Sequence, residues 1–402
     1  MTTLTSPIAT DPLEEFRRRV RSLLDSRLLR RTGAPPVRGM GAGDGAEAVE
    51  DGRRYLAAMA DGGWSVPSWP TEFGGAGLNR DQLAVLSEEL DTFDVPDLYP
   101  FSIGVGMAGP VIQRFGTPGQ QARWLTPIRT GSEIWCQMFS EPDAGSDLAS
   151  LSCRAERDGD GWRLTGQKLW TSRAHYSRWG LLLGRTHPDL PKHRGITAFA
   201  VDMGADGLQR RPIRQINGDE HFNEVFLDEV WVPDGQRIGD PGDGWRVAMT
   251  TLSHERGAGD RSIGGFTPDD VLRLARRAPT DDPVLRQRLA RAWSNLKVGQ
   301  LTSLRAEAAR AVGAEPGAMG SGAKLRQVAS FKELTDLALD LLGPQGLVGH
   351  DAWSTLFLTS PSLSIRGGTD EIQRNIVGER VLGLPAENRI DKDVPFNRRL
   401  RG

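Results

Sequence analysis

The feature that most constrains the fold of this chain is a change of period. Hydrophobic residues recur at helical spacing in the first third, alternate as in strands from about Gly131, and return to helical spacing beyond Gly244. Leu13, Phe16, Val20, Leu23 and Leu24 share one face of a helix over 11–30, opposite Glu15, Arg18, Ser22 and Asp25. Helical patterns follow over 48–59, 81–90 and 104–115, with a glycine-rich loop over 39–45. In the middle, Cys153-Arg-Ala-Glu and Trp162-Arg-Leu-Thr alternate on either side of Asp158-Gly-Asp-Gly161, which predicts an antiparallel hairpin closed by a tight turn. Strand character continues over 181–183, 196–201 and 224–232 and ends near Pro233. Leu285, Leu289, Trp293 and Leu296, then Leu325, Val328, Leu334 and Leu337, restore helix spacing on the two sides of a breaker, Pro316-Gly-Ala-Met-Gly-Ser-Gly322. The order predicts a multidomain α+β protein with a helical domain over 1–130, a β domain over 131–240 and a helical domain over 241–402.

Charge excludes some functions. Lys and Arg number 50 against 52 Asp and Glu, a net charge of -2, so no broad basic field is present for nucleic acid, and any anionic ligand must be held locally. On that balance Arg17-Arg18-Arg19 reads as a solvated helix face. The first ten residues lack a basic, then apolar leader, and no apolar run approaches membrane-spanning length, so the expected location is cytoplasmic without membrane insertion. Cys136 and Cys153 read as buried reduced thiols. His175, His221 and His254 have no metal-ligand spacing, and no metal is expected.

Two segments carry chemistry: Gln137-Met-Phe-Ser-Glu-Pro-Asp-Ala-Gly-Ser-Asp-Leu-Ala-Ser150 and Thr165-Gly-Gln-Lys-Leu-Trp-Thr-Ser172. Together they resemble the paired flavin-binding signatures of the acyl-CoA dehydrogenase family. The resemblance extends along nearly the whole chain, through Trp64-Ser-Val-Pro-Ser-Trp-Pro-Thr-Glu-Phe-Gly-Gly-Ala-Gly77, Phe222-Asn-Glu-Val-Phe-Leu-Asp-Glu-Val-Trp-Val-Pro233, Leu252-Ser-His-Glu-Arg256 and Gly367-Gly-Thr-Asp-Glu-Ile-Gln-Arg374. It implies an N-terminal all-α domain, a middle antiparallel β-barrel and a C-terminal four-helix bundle, with FAD as cofactor. A flavin needs a stacking partner, donors for its ring and amides or dipoles for its diphosphate. The resemblance assigns Trp170 beside the ring, Ser172 near N5, Ser140 at the pyrimidine end with the backbone from Gln137 to Phe139 along the ring, and Ser146 near the phosphates and thioester, where Gly145 permits close approach. Strand alternation is expected to place Trp170 and Ser172 on one side. Gln345 and Gly346, from a neighbouring subunit, and Thr369 and Glu371 match the loops that close over the adenosine portion; Thr369 also reads as a helix N-cap. An Arg-x-x-Phe pair that clamps FAD in many members has no counterpart over 256–283.

The implied reaction oxidises an acyl-CoA, or a carrier-bound acyl thioester, to the α,β-unsaturated thioester, with electrons passing to an electron-transfer flavoprotein or similar acceptor and assembly as a homodimer or homotetramer. Many straight-chain members carry the basic glutamate directly before Gly-Thr, where this chain has Gly367-Gly368-Thr369. The isovaleryl and long-chain types carry it in a Leu-x-x-Glu-Arg helix, which Leu252-Ser-His-Glu255-Arg256 matches. Glu255 is therefore the expected base, Arg256 is expected to line the substrate site, and the Gly367 N–H to meet the thioester carbonyl; Glu371 is the next candidate base. Two alternatives stay open: a flavin oxidase or monooxygenase on the same fold, and a non-catalytic partner subunit of a hetero-oligomer.

Overall fold

The computed structural model describes residues 11–33, 45–262, 266–311, 318–348, 352–388 and 390–398, with the side chains of 255–262, 307, 310 and 311 outside the description. The described residues form two compact units, one up to Trp135 and one from Cys136 onward.

The first unit is helical: α1 (Pro12–Arg27), α2 (Ala46–Met59), α3 (Arg80–Leu90), α4 (Gly109–Phe115) and α5 (Pro118–Arg129). Asp11 caps α1 by accepting from the Leu13 amide (3.0 Å), and Pro12 occupies the first helical position, where no amide hydrogen is needed. Phe16, Val20 and Leu24 are its buried stripe, as the spacing predicts. The arginine run is only partly solvated. Arg17 and Arg21 turn toward α3 and hold the buried Glu89 carboxylate at 3.0 and 2.8 Å, which keeps its pKa below the usual range, while Arg18 and Arg19 are exposed.

The expected helix over 104–115 opens as a wide turn, Gly104–Ala108, before α4 begins. Its cause is a close approach. Trp69, buried with its indole N–H donating to the Val105 carbonyl (3.1 Å), presses on Gly109 so tightly that a Cβ there would lie 2.1 Å from the ring.

The second unit carries eight strands, β1 (Trp135–Met138), β2 (Arg154–Asp158), β3 (Gly161–Ser172), β4 (Trp179–Arg185), β5 (Ile196–Asp202), β6 (Leu208–Ile213), β7 (Phe222–Pro233) and β8 (Arg237–Ile238). Their order is β6-β7-β3-β2-β4-β5-β8, with β1 also on β4. The predicted hairpin is β2–β3, in which Asp158 faces Gly161 across a two-residue turn and Gly159 adopts φ +59°. The sheet is mixed rather than wholly antiparallel: β2 meets β4 in parallel at Arg154 and Arg185. Among the described residues the pairings run from β6 to β8 as one eight-stranded sheet, which is compatible with the expected barrel. β4 and β5 are buried almost throughout, which explains their unbroken apolar runs.

The same unit continues into α6 (Gly244–Ser262), α7 (Pro268–Arg277), α8 (Pro283–Ala311), α9 (Met319–Leu342), α10 (Pro344–Leu347), α11 (Ala352–Leu363) and α12 (Asp370–Arg380). Val328, Phe331, Leu334, Leu337 and Ala338 of α9 form the centre of a core with Leu274, Ala292, Trp353, Leu356 and Leu363. Leu285, Leu289 and Leu296 pack on it as the spacing predicts, whereas Trp293 faces outward. The breaker is narrower than its composition suggested, since α9 starts at Met319 and runs through Gly320 and Gly322.

The contact at Gly109 yields a first prediction. Gly109→Ala forces Trp69 to move and is expected to destabilise the protein by roughly 1–3 kcal/mol, the usual cost of overpacking, measured by denaturant unfolding. A change inside experimental error would show that Trp69 yields freely.

Candidate active site

The two signature segments meet through one buried ion pair. Lys168, inside β3, has no exposed side-chain surface, and its ammonium donates to Glu141 Oε1 (2.8 Å) and to the Phe139 carbonyl (3.1 Å). Glu141 also accepts from the Ser152 amide (2.6 Å), the Ser152 hydroxyl (2.9 Å) and the Cys153 amide (2.9 Å). The Leu169 amide donates to the Ser140 carbonyl (2.9 Å). Burial by itself would raise the Glu141 pKa, but the Lys168 charge, its hydrogen bond and the two amides outweigh burial and hold the carboxyl below the usual range. Neither Lys168 nor Glu141 was singled out from the sequence. The available signal was that Lys168 is the one charged residue of the 165–172 segment.

The pair also orients a peptide. The Phe139 C=O and the Ser140 N–H lie on opposite sides of one planar unit, so fixing the carbonyl on Lys168 turns the Ser140 N–H away from the Lys168 ammonium. Among the described residues that N–H has no acceptor. Cys136 and Cys153 are buried free thiols, as expected, with burial pushing them up to about 12 and about 11.

Trp170 is presented by an irregularity. Between Lys168, opposite Val225, and Thr171, opposite Asn223, β3 has one residue more than β7. Trp170 lies in this bulge at φ +58°, is 54% exposed, and meets Phe222 edge-on at 5.8 Å. Simple alternation therefore does not govern the relation between Trp170 and the half-buried Ser172. A left-handed tryptophan costs roughly 1–3 kcal/mol and persists only where its surroundings enforce it. Thr171 does so from the buried side: its carbonyl accepts from Asn223 Nδ2 (3.2 Å), while its hydroxyl has no partner among the described residues.

The remaining candidates lie in loops and helices. Gln137 is half-buried in β1, and Phe139 is buried just beyond it. Gly145 and Ser146 are exposed, and a Cβ added at Gly145 would meet nothing within 4 Å. Gln345 is exposed and Gly346 buried on α10, which packs on α9 and α11. Gly367 and Gly368 adopt φ +65° and +86°, and the buried Gln373 amide donates to both their carbonyls (3.2 and 3.4 Å). The Lys324 ammonium of α9 also donates to the Gly368 carbonyl. Thr369 caps α12 as expected, accepting from the Ile372 amide (3.2 Å). Glu371 is exposed and 3.6 Å from Arg374. Glu255 and Arg256 belong to α6, but their side chains lie outside the described residues.

An exposed aromatic plane, a Ser140 amide with no acceptor among the described residues, hydroxyls at Ser140 and Ser172, and a crowding-free Gly145-Ser146 turn suit a planar, hydrogen-bonding ligand with an anionic extension. Comparison with known proteins points the same way. Family models for the acyl-CoA dehydrogenase N-terminal, middle and C-terminal domains match residues 10–132, 136–230 and 242–382. The acyl-CoA dehydrogenase IpdE1 of Mycobacterium tuberculosis is 41% identical over 384 residues, 93% of this chain and 98% of that protein. The solved Tcur3481-Tcur3483 steroid ACAD is similar with a TM-score of 0.76 and 26% identity, covering 96% of this chain and 100% of that one. The ChsE4-ChsE5 complex from Mycobacterium tuberculosis is similar with a TM-score of 0.74 and 28% identity, covering 95% and 100%.

The buried pair generates a prediction with a defined sign. Lys168→Met leaves Glu141 buried without its cation and is expected to cost about 3–5 kcal/mol, whereas Lys168→Met combined with Glu141→Gln removes both charges and recovers most of the loss. Because the Glu141 pKa is depressed on folding, its contribution is complete above the ordinary carboxylate range and disappears as pH falls through the depressed value. The gap between parent and double variant in urea titrations should accordingly close on acidification. A double variant no more stable than Lys168→Met at neutral pH would contradict the coupling.

Proposed function

The chain belongs to the acyl-CoA dehydrogenase family, whose enzymes are FAD-dependent acyl-CoA oxidoreductases, and from that premise we propose that it introduces an α,β double bond into an acyl thioester with Glu255 as the base. The observation that supports this most directly is the union of the two signature segments by Lys168, Glu141 and the Ser140–Leu169 bond, with the Trp170 ring exposed and the Ser140 N–H without an acceptor among the described residues.

When bound, FAD supplies the acceptor for the hydride leaving the β carbon. Trp170 stacks beside the ring system, Ser140 and Ser172 donate hydrogen bonds to its polar edge, and the Gly145-Ser146 turn admits phosphate oxygens next to backbone amides. Thr369 and Glu371, with Gln345 and Gly346 from a neighbouring subunit, complete the adenosine side. An α proton of a thioester is weakly acidic until its carbonyl is polarised. Among the described residues the Gly367 N–H has no acceptor, and it is the donor proposed for that carbonyl. Glu255 takes the α proton on a carboxylate oxygen, and Arg256 lines the thioester site. The sequence position of Glu255 supports its role, because it lies one helical turn beyond the buried Thr251 of α6.

For the acyl group, similarity to a steroid ACAD favours a steroid-bearing thioester over a simple fatty chain. For assembly, the proposed neighbour is a second copy of the chain. A homologous second chain is the other reading, supported by the two-component ChsE4-ChsE5 complex. The reduced site is proposed to pass its electrons to an electron-transfer flavoprotein.

Two outcomes test the reading. The protein is expected to purify yellow with non-covalent FAD, and Trp170→Ala with Ser140→Ala to release it more readily; a colourless protein that cannot be reconstituted sinks the proposal. In anaerobic mixing with steroid, straight-chain and carrier-bound thioesters, Glu255→Gln is expected to bind thioester yet reduce the flavin at least ~100-fold more slowly, the usual effect of a lost general base. Adding Gly367→Glu should restore part of the rate, less about 1 kcal/mol of left-handed backbone strain. Reduction by Glu255→Gln at the parental rate would assign the base elsewhere.

A further inference from the structure

The loop that carries Gly145 and Ser146 is anchored at its start by Glu141 on Lys168. Its other end depends on residues outside the 242–382 range matched by the family's C-terminal domain. Asp147 binds the Lys192 ammonium at 3.0 Å, and the same ammonium binds Asp391 at 2.6 Å. Asp391 belongs to a segment, 390–398, that lies along residues 188–191. There the amides of Phe396 and Asn397 donate to the carbonyls of Leu190 and Pro188 (2.9 Å each), and Pro395 bridges to Pro191.

A second cation repeats the connection. Arg185 is buried, with its guanidinium 3.9 Å from the centre of the Phe396 ring. The same guanidinium donates to the carbonyls of Ala149 (2.6 Å), Leu151 (3.0 Å) and Lys192 (2.6 Å). Two cations from one stretch of chain thus each hold the 390–398 segment on one side and the downstream arm of the signature loop on the other.

The chemistry gives this arrangement consequence. Asp147 is more than half exposed, and an ion pair with one exposed partner adds little alone. Lys192 is mostly buried, however, so its charge requires compensation, and Asp391 supplies the shorter contact. Burial lowers the ammonium pKa, but Asp391 and Asp147 outweigh it and raise the value above the ordinary one, so the bridge stays charged at neutral pH. Loss of Asp391 leaves Lys192 dependent on a solvent-exposed carboxylate. Loss of Phe396 uncovers the face of Arg185 whose edge orders Ala149 and Leu151.

We propose that residues 390–398 form a strap that sets the position of the 142–147 loop, with Lys192 and Arg185 as positioning residues, and thereby sets the affinity of Gly145 and Ser146 for the anionic part of the cofactor or thioester. The proposal rests on the reading of that loop as a cofactor and substrate site.

The test uses full-length Asp391→Asn/Phe396→Ala, Lys192→Met, and Lys192→Arg as the conservative variant. Amide hydrogen exchange is followed in peptides covering 142–153 and, as an internal control, in peptides from α9. The first two variants are expected to speed exchange in 142–153 by about tenfold or more, as a local opening, with α9 unchanged and Lys192→Arg close to the parent. In the FAD-loaded enzyme the same two should raise the FAD Kd or the thioester KM by roughly threefold or more while kcat stays within a factor of two. Unchanged exchange in 142–153, or an equal rise in α9, overturns the strap. Faster local exchange with parental FAD and thioester affinities overturns its positioning role. A parental protein that takes up no FAD overturns the functional reading instead, and the exchange comparison still decides whether the strap exists.

Discussion

Everything in the signature region depends on the cost of burying one ammonium. Lys168 has no exposed side-chain surface, and an uncompensated charge in that position would cost several kcal/mol. The chain meets the requirement with Glu141 and the Phe139 carbonyl. Glu141, now buried itself, needs further donors, and it finds them in the amides of Ser152 and Cys153 and the Ser152 hydroxyl. One charge therefore fixes the end of β1, the start of β2 and the middle of β3 relative to one another. A hydrophobic contact at the same place would hold these segments together as tightly but would not dictate which way the 139–140 peptide faces. That directionality is what a hydrogen-bonded pair adds and what an area of apolar burial cannot supply.

With the ladder pinned at Lys168, the irregularity just beyond it becomes affordable. β3 must continue its pairing with β7 up to Ser172 and also turn a large aromatic ring out of the sheet. A bulge with Trp170 in a left-handed conformation does both, because the extra residue absorbs the change of direction while Thr171 returns to the ladder opposite Asn223. The strain of Trp170 sits between two fixed points, Lys168 before it and the Thr171–Asn223 bond after it, so it cannot relax by sliding the register.

The distribution of what was legible in the sequence follows from this. Elements with a period of their own were readable: Phe16, Val20 and Leu24 along α1, the β2–β3 hairpin around Gly159, and the α9 stripe through Val328, Leu334 and Leu337. Caps were readable too, since Thr369 acts on an amide three residues away. What escaped had its cause at long sequence range. Trp69, 40 residues upstream, makes Gly109 obligatory and turns the start of a helix into a wide turn. Glu89 draws Arg17 out of what reads locally as a solvated arginine run, and holds Arg21 beside it. The parallel contact of β2 with β4 at Arg154 and Arg185 leaves no mark in the alternation of either strand. In the candidate site, the two motif segments stand out in the sequence, but the Lys168–Glu141 pair that joins them and the bulge that spoils the alternation of Trp170 and Ser172 emerge only from tertiary pairing.

The placement of the proposed base has a structural corollary of the same kind. A glutamate at position 367 would share one loop with the N–H proposed as the thioester's hydrogen-bond donor, so the donor-to-base distance would be a local property, protected by Gln373 and Lys324 on the neighbouring carbonyls. A base on α6 makes that distance a tertiary property, set by how α6 sits on the sheet. The seating is close. Gly244, the first residue of α6, approaches the Ile196 backbone so nearly that a Cβ would lie 2.7 Å from it, and Val247, Ala248 and Thr251 are fully buried along the same turns. On the proposed placement, a base on the helix instead of the loop shifts the burden of alignment from glycine dihedrals to the packing of α6 on β5, and sub-ångström changes there would bear directly on a proton transfer that tolerates little misplacement.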